Sequence, residues 1–141
     1  MAQEDNKIIP MIFDETFYRK MATQKWRQQD YKKAAEYYEK VLELSPEDFD
    51  IQQHYAQCLV KLNIGKKAER LFYENIVKDF HVAESFYELS QLNIELNEPN
   101  KAFLFGINYV ILSDDKDFRE MLEKTFEVTY TNEQKIELEA Q

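Results

Sequence analysis

Two glycines, three prolines and one cysteine are all that this 141-residue chain holds of the residue types that break or cross-link a backbone. Such poverty in breakers, beside 14% aromatic residues, argues against disorder and for an almost wholly helical, well-packed body. Gly65 and Gly106 alone cannot build a glycine-rich phosphate loop, which excludes nucleotide binding in its usual forms. Cys58 has no second cysteine to pair with and reads as a buried structural thiol in a reducing compartment. No run approaches the roughly 18 consecutive apolar residues that span a bilayer, so no membrane insertion is expected. The opening residues Met1 to Asn6 are acidic and polar where a secretory signal is basic and then apolar. The expected location is cytoplasmic.

Reaction chemistry is equally sparse. His54 and His81 lie 27 residues apart with no cysteine or carboxylate at ligand spacing beside both, so a zinc site has no support. Asp114-Asp115 sits where acids commonly cap a following helix. General acid and base work there would need a pocket that the sequence does not show. We therefore expect no catalytic residue, no metal and no cofactor. The net charge of −9 arises chiefly beyond residue 82. With cations only in short pairs such as Arg19-Lys20, Lys32-Lys33 and Lys66-Lys67, nucleic acid is excluded as a partner.

What the chain does have is a period. Alanine recurs at 34-residue spacing at Ala34, Ala68 and Ala102, and a second small residue keeps the same step at Ala22, Ala56 and Ser90. Helices whose axes come within about 8–10 Å leave no room for a branched side chain at the crossing, so one small residue per helix marks where neighbours touch. Tyr38 and Phe72 follow the second alanine by one helical turn and can pack a ring into the next helix, whereas Gly106 stands there in the third unit. Asp30-Tyr31, Asn63-Ile64-Gly65 and Glu98-Pro99 mark hairpin turns. Ser45-Pro46-Glu47-Asp48 reads as a helix start, with Ser45 capping and Pro46 at the first helical position. The pattern predicts six helices at about 15–29, 31–44, 47–62, 66–79, 83–96 and 99–112.

On these residues the chain resembles the tetratricopeptide repeat family. The resemblance covers residues 15 to about 116 and rests on Ala22, Tyr31, Ala34, Tyr38 and Pro46 in unit one, Ala56, Leu59, Ala68 and Phe72 in unit two, and Phe86, Leu89, Ser90 and Ala102 in unit three. It implies an all-α, right-handed superhelical solenoid of three helix-turn-helix hairpins at 15–48, 49–82 and 83–116. As a whole the chain also resembles the amino-terminal part of the cytoplasmic tetratricopeptide proteins of low-GC Gram-positive bacteria. Beyond unit three, Phe118, Met121, Leu122 and Phe126 are spaced to form a capping helix from Asp117 to about Val128. Thr131 to Gln134 then offers a capping box that opens a further helix, which reads either as the start of a longer protein or as a short solvating cap over the last repeat.

The resemblance implies a non-catalytic interaction module with a protein or peptide partner in a concave groove lined by the first helices. That face would carry Arg19, Thr23, Trp26 and Arg27, then Gln53, His54, Gln57, Val60 and Lys61, then Glu84, Tyr87, Glu88, Gln91 and Glu95. Two readings stand: these are ordinary solvated side chains, or Trp26, His54 and Tyr87 are binding anchors. Trp26 can also be core, packing where the second helix turns back. Some family members grip a terminal carboxylate with lysine, arginine and asparagine. Here Arg19 and His54 are compatible with that, but Thr23, Glu84 and Glu88 are not, which argues against such a clamp. The runner-up role is structural or self-associating, with the groove filled by the chain itself through the lead segment 1–14, where Ile8-Ile9-Pro10-Met11-Ile12-Phe13 needs cover. A further alternative is the amino-terminal part of a larger regulatory protein.

Overall fold

The computed structural model describes residues 13–126, which form seven helices and no strand. They are α1 (Glu15–Arg27), α2 (Tyr31–Leu44), α3 (Phe49–Lys61), α4 (Gly65–Val77), α5 (Val82–Glu95), α6 (Pro99–Ser113) and α7 (residues 116–126). The apolar lead segment at 8–12 and the expected helix beyond 131 lie outside the described residues. The chain divides into two compact units, one ending at Phe80 and the other beginning at His81. In the first, α1 packs on α2, α2 on α3 and α3 on α4; in the second, α5 pairs with α6, and α7 adds Phe118 and Leu122 to their core.

The 34-residue register describes the packing. Ala22, Ala34, Ala56, Ala68 and Ser90 have no exposed surface and Ala102 has 3%. In the last hairpin two of these small positions are bonded directly, the Ser90 hydroxyl donating to the Ala102 carbonyl at 2.7 Å. Tyr38 and Phe72 are buried as expected from their place one turn on. Gly106 has a reason of its own: a Cβ there would stand 2.6 Å from a methyl of Leu122. The third hairpin receives α7 at the position where the first two carry a ring.

How a chain this poor in glycine turns so tightly is answered at the helix ends. Gln29, Asn63 and Asn97, themselves 34 residues apart, all take left-handed φ values of 58° to 62°. After each, an N–H reaches back five residues: Asp30 to the Lys25 carbonyl at 2.9 Å, Ile64 to Leu59 at 2.8 Å and Glu98 to Asn93 at 2.8 Å. This is the Schellman arrangement, which satisfies the last carbonyls of the helix. Asparagine tolerates the left-handed region through its short polar side chain; glutamine does so less readily.

One helix start differs from expectation. Ser45 closes α2, Pro46 and Glu47 form a turn, and α3 begins at Phe49 under the cap of Asp48, whose carboxylate accepts from the Ile51 N–H at 3.1 Å. Proline disfavours helical geometry in the residue before it, and Ser45 is accordingly non-helical at φ −137°. Asp14 and Asp30 cap α1 and α2 in the same way, accepting from Phe17 at 2.9 Å and Lys33 at 3.2 Å.

Candidate protein-binding face

The first unit exposes one side of α1 as a shallow depression lined by Thr16, Arg19, Lys20, Thr23, Gln24, Arg27 and Gln28. No carboxylate is among them. Arg19 is not a free cation: it bonds Glu15 through Nη2 at 2.6 Å and also binds the Asp48 carboxylate that caps α3. Burial pushes the Asp48 carboxyl up, but the Arg19 guanidinium and the Ile51 N–H outweigh it and leave the group below its ordinary value. The Asp48 and Glu15 bonds in turn hold Arg19 more firmly protonated. Thr23 spends its hydroxyl on the Arg19 carbonyl at 3.0 Å. Lys20 and Arg27 are exposed, with no ion pair among the described residues. They leave this depression positive.

At one end of this face three helices meet. Trp26, at the end of α1, is half-buried with its ring edge-on to Tyr31 at 5.2 Å, which is the packing against the returning helix that its place in sequence allowed. Lys61, at the end of α3, is exposed and places Nζ 6.0 Å from the same Tyr31 ring. His54 is exposed and lies flat on the buried Tyr38 ring, with centroids 5.9 Å apart. Gln57 is half-buried one turn further.

Gln53 departs from expectation. It is 2% exposed and accepts from Asn75 Nδ2 at 2.7 Å, so it lies in the interior of the α3–α4 hairpin rather than on an exposed face. There Asn75 also accepts from Gln52 at 3.0 Å and donates to the Phe49 carbonyl at 3.3 Å. A buried polar cluster of this kind fixes the geometry of a hairpin because every alternative leaves its members unbonded. A second link escaped sequence reasoning. The Tyr55 hydroxyl donates to Glu39 at 2.5 Å and accepts from Lys67 at 2.9 Å, tying α2, α3 and α4 together.

The second unit carries the acidic part of the expected face. Glu84 is exposed and 3.4 Å from His81, while Glu88 and Gln91 are half-buried. Tyr87 is not a free anchor, because its ring packs against Tyr109 at 5.1 Å and Phe118 at 5.3 Å. The Cys58 thiol is fully buried, and that burial pushes it up to about 12. Among the described residues no group of three or more His, Cys, Asp or Glu is disposed to hold a metal ion. No helix among them is long and apolar enough to cross a membrane.

Residues 25–72 match the family model of the tetratricopeptide repeat. In three dimensions the chain is similar to the crystal structure of MamA protein, with a TM-score of 0.71 and 20% identity, over 82% of this chain and 63% of that one. It is also similar to the P58(IPK) TPR domain, with a TM-score of 0.79 and 20% identity, over 97% of this chain and 38% of that one. No curated protein matches in sequence. The chain is thus an all-α helical repeat similar in fold to tetratricopeptide proteins, and its residues 25–72, from the end of α1 into α4, carry that family's sequence pattern.

Proposed function

We propose that the chain is a non-catalytic protein-interaction module whose first unit takes an acidic segment of a partner on the exposed side of α1. Tetratricopeptide folds generally serve as protein-interaction scaffolds, which supports this class. The observation that carries the reading is the sign of the α1 surface: Lys20 and Arg27 are unpaired among the described residues, no carboxylate lines the depression, and the nearby acids Glu15 and Asp48 are engaged with Arg19. Lys61 with Tyr31 and Trp26 adds an aromatic and cationic edge. A carboxylate-bearing peptide gains charge-assisted bonds there without displacing an internal ion pair. The Arg19 contacts argue further against a terminal-carboxylate clamp, since its guanidinium already holds two acids. Glu84 and Glu88 on the second unit suit a basic segment instead. A buried, weakly acidic Cys58 suits a reducing cytoplasm.

Titration of the full chain with peptides of opposite charge order tests the reading. The acidic peptide binds, its association slows with added salt because the Debye length falls to ~8 Å at 0.15 M, and Lys20→Glu with Arg27→Glu abolishes the preference. Equal binding of acidic and basic peptides, indifferent to salt, would overturn it.

A further inference from the structure

α6 is the most apolar of helices α1 to α6, with Lys101 as its one charged side chain between Pro99 and Ser113. A helix that is apolar on every side belongs in an interior. Two of its sides have one. Gly106 faces Ser90 of α5 and Leu122 of α7, and Phe103 stacks on Phe126 of α7 at 3.8 Å. Among the described residues the remaining side does not: Leu104, Ile111 and Leu112 are 61%, 71% and 55% exposed. Asn108, between them, is exposed and turns its amide back onto the Leu104 carbonyl at 2.8 Å. Beside this ridge, and sharing Ile111 with it, a cleft of about 180 Å³ opens between α6 and α7, lined by Phe103, Ile107 and Leu122 and by Arg119 and Glu123.

We propose that a second copy of this chain docks here, the α6 ridge of each copy entering the α6–α7 cleft of the other. Ridge and cleft lie side by side on one unit, which is what a two-fold contact requires, because residue i then meets j while j meets i. Charge selects the same occupant. Nearly all of the net charge of −9 lies beyond residue 82, so this part of the chain repels its own copy over much of its surface, yet ridge and cleft contain one carboxylate, Glu123, and it stands one turn from Arg119. Arg119 and Glu123 form no ion pair among the described residues. Across a two-fold axis Arg119 meets the second copy's Glu123, and the reverse, so both charges find partners twice.

Sedimentation equilibrium of the full chain over a wide concentration range tests this. A monomer–dimer equilibrium is expected, and Ile111→Glu or Leu104→Glu raises its dissociation constant at least ~10-fold. Arg119→Glu and Glu123→Arg each weaken the dimer, and the double exchange restores it. Val77→Glu, at a site in the other unit that is 80% exposed, leaves it unchanged. Circular dichroism melts verify that each variant folds. A monomer at every concentration, a dimer indifferent to Ile111→Glu, or charge variants without mutual rescue would each overturn the proposal. Acidic-peptide binding to α1 is unaffected by Ile111→Glu, so failure of one reading is distinguishable from failure of the other.

Discussion

Replacing Gly106 by alanine sets two effects of known sign against each other. In the interior of α6 alanine is favoured over glycine by ~1 kcal/mol. Against this, the new Cβ stands 2.6 and 2.7 Å from the two methyls of Leu122 and 3.0 Å from the Ser90 hydroxyl, where carbon contacts settle at about 3.5–4 Å. Leu122 is 4% exposed and packed with Val110 and Phe118, so it has little room to withdraw. Ser90 cannot turn away without losing its bond to the Ala102 carbonyl. Overpacking of this kind costs ~1–3 kcal/mol, so Gly106→Ala destabilises by about 1 kcal/mol net. The background decides the cause. Leu122→Ala alone costs ~2–5 kcal/mol, but in that background the alanine at 106 enters vacated space and stabilises by about 1 kcal/mol. The coupling between the two sites is therefore ~2 kcal/mol, which a double-mutant cycle by urea unfolding resolves. Gly106→Ala that stabilises the parent chain, or that acts equally in both backgrounds, refutes the reasoning.

Three further outcomes follow from the helix crossings, the turns and the ion pairs. Ala68→Leu, at a crossing with no exposed surface, costs on the order of 1–3 kcal/mol by overpacking, and denaturant unfolding that shows no loss contradicts the register. Gln29→Gly removes a non-glycine residue from φ 59° and stabilises by about 1 kcal/mol, read as a rise in melting temperature. Asp48→Asn keeps the cap but loses the bond to Arg19, costing ~1 kcal/mol once water around the half-exposed guanidinium is allowed for. Because the folded carboxyl lies below its ordinary 3.8, that contribution is complete above this pH and lost as pH falls through the lowered value. The gap between variant and parent closes on acidification; a gap that persists at low pH contradicts the assignment.

The crossings and most helix limits were legible because steric exclusion leaves a residue-type signature: only alanine, serine or glycine fits where axes approach. Pro46 misled because its fixed φ suits a first helical turn and an interhelical turn alike, and only the Asp48 cap separates the two. Gln53 was misplaced because helical periodicity assigns a face to within about one position, and its bonding partner Asn75 lies on another helix. Tyr87 looked like an anchor because the rings that cover it, Tyr109 and Phe118, come from other helices, and Phe118 from outside the repeat. The left-handed series at Gln29, Asn63 and Asn97 was present at the 34-residue step, but glutamine is not a residue type that announces such a turn.

The account stands or falls on where a partner touches the first unit. Backbone and side-chain chemical-shift mapping of the labelled full chain, titrated with an acidic peptide at low salt, measures this directly. The account predicts shifts concentrated at Lys20, Thr23, Arg27 and Lys61, reversed by added salt and absent from the buried Gln53. Shifts confined to other surfaces, or none at any concentration, would contradict it.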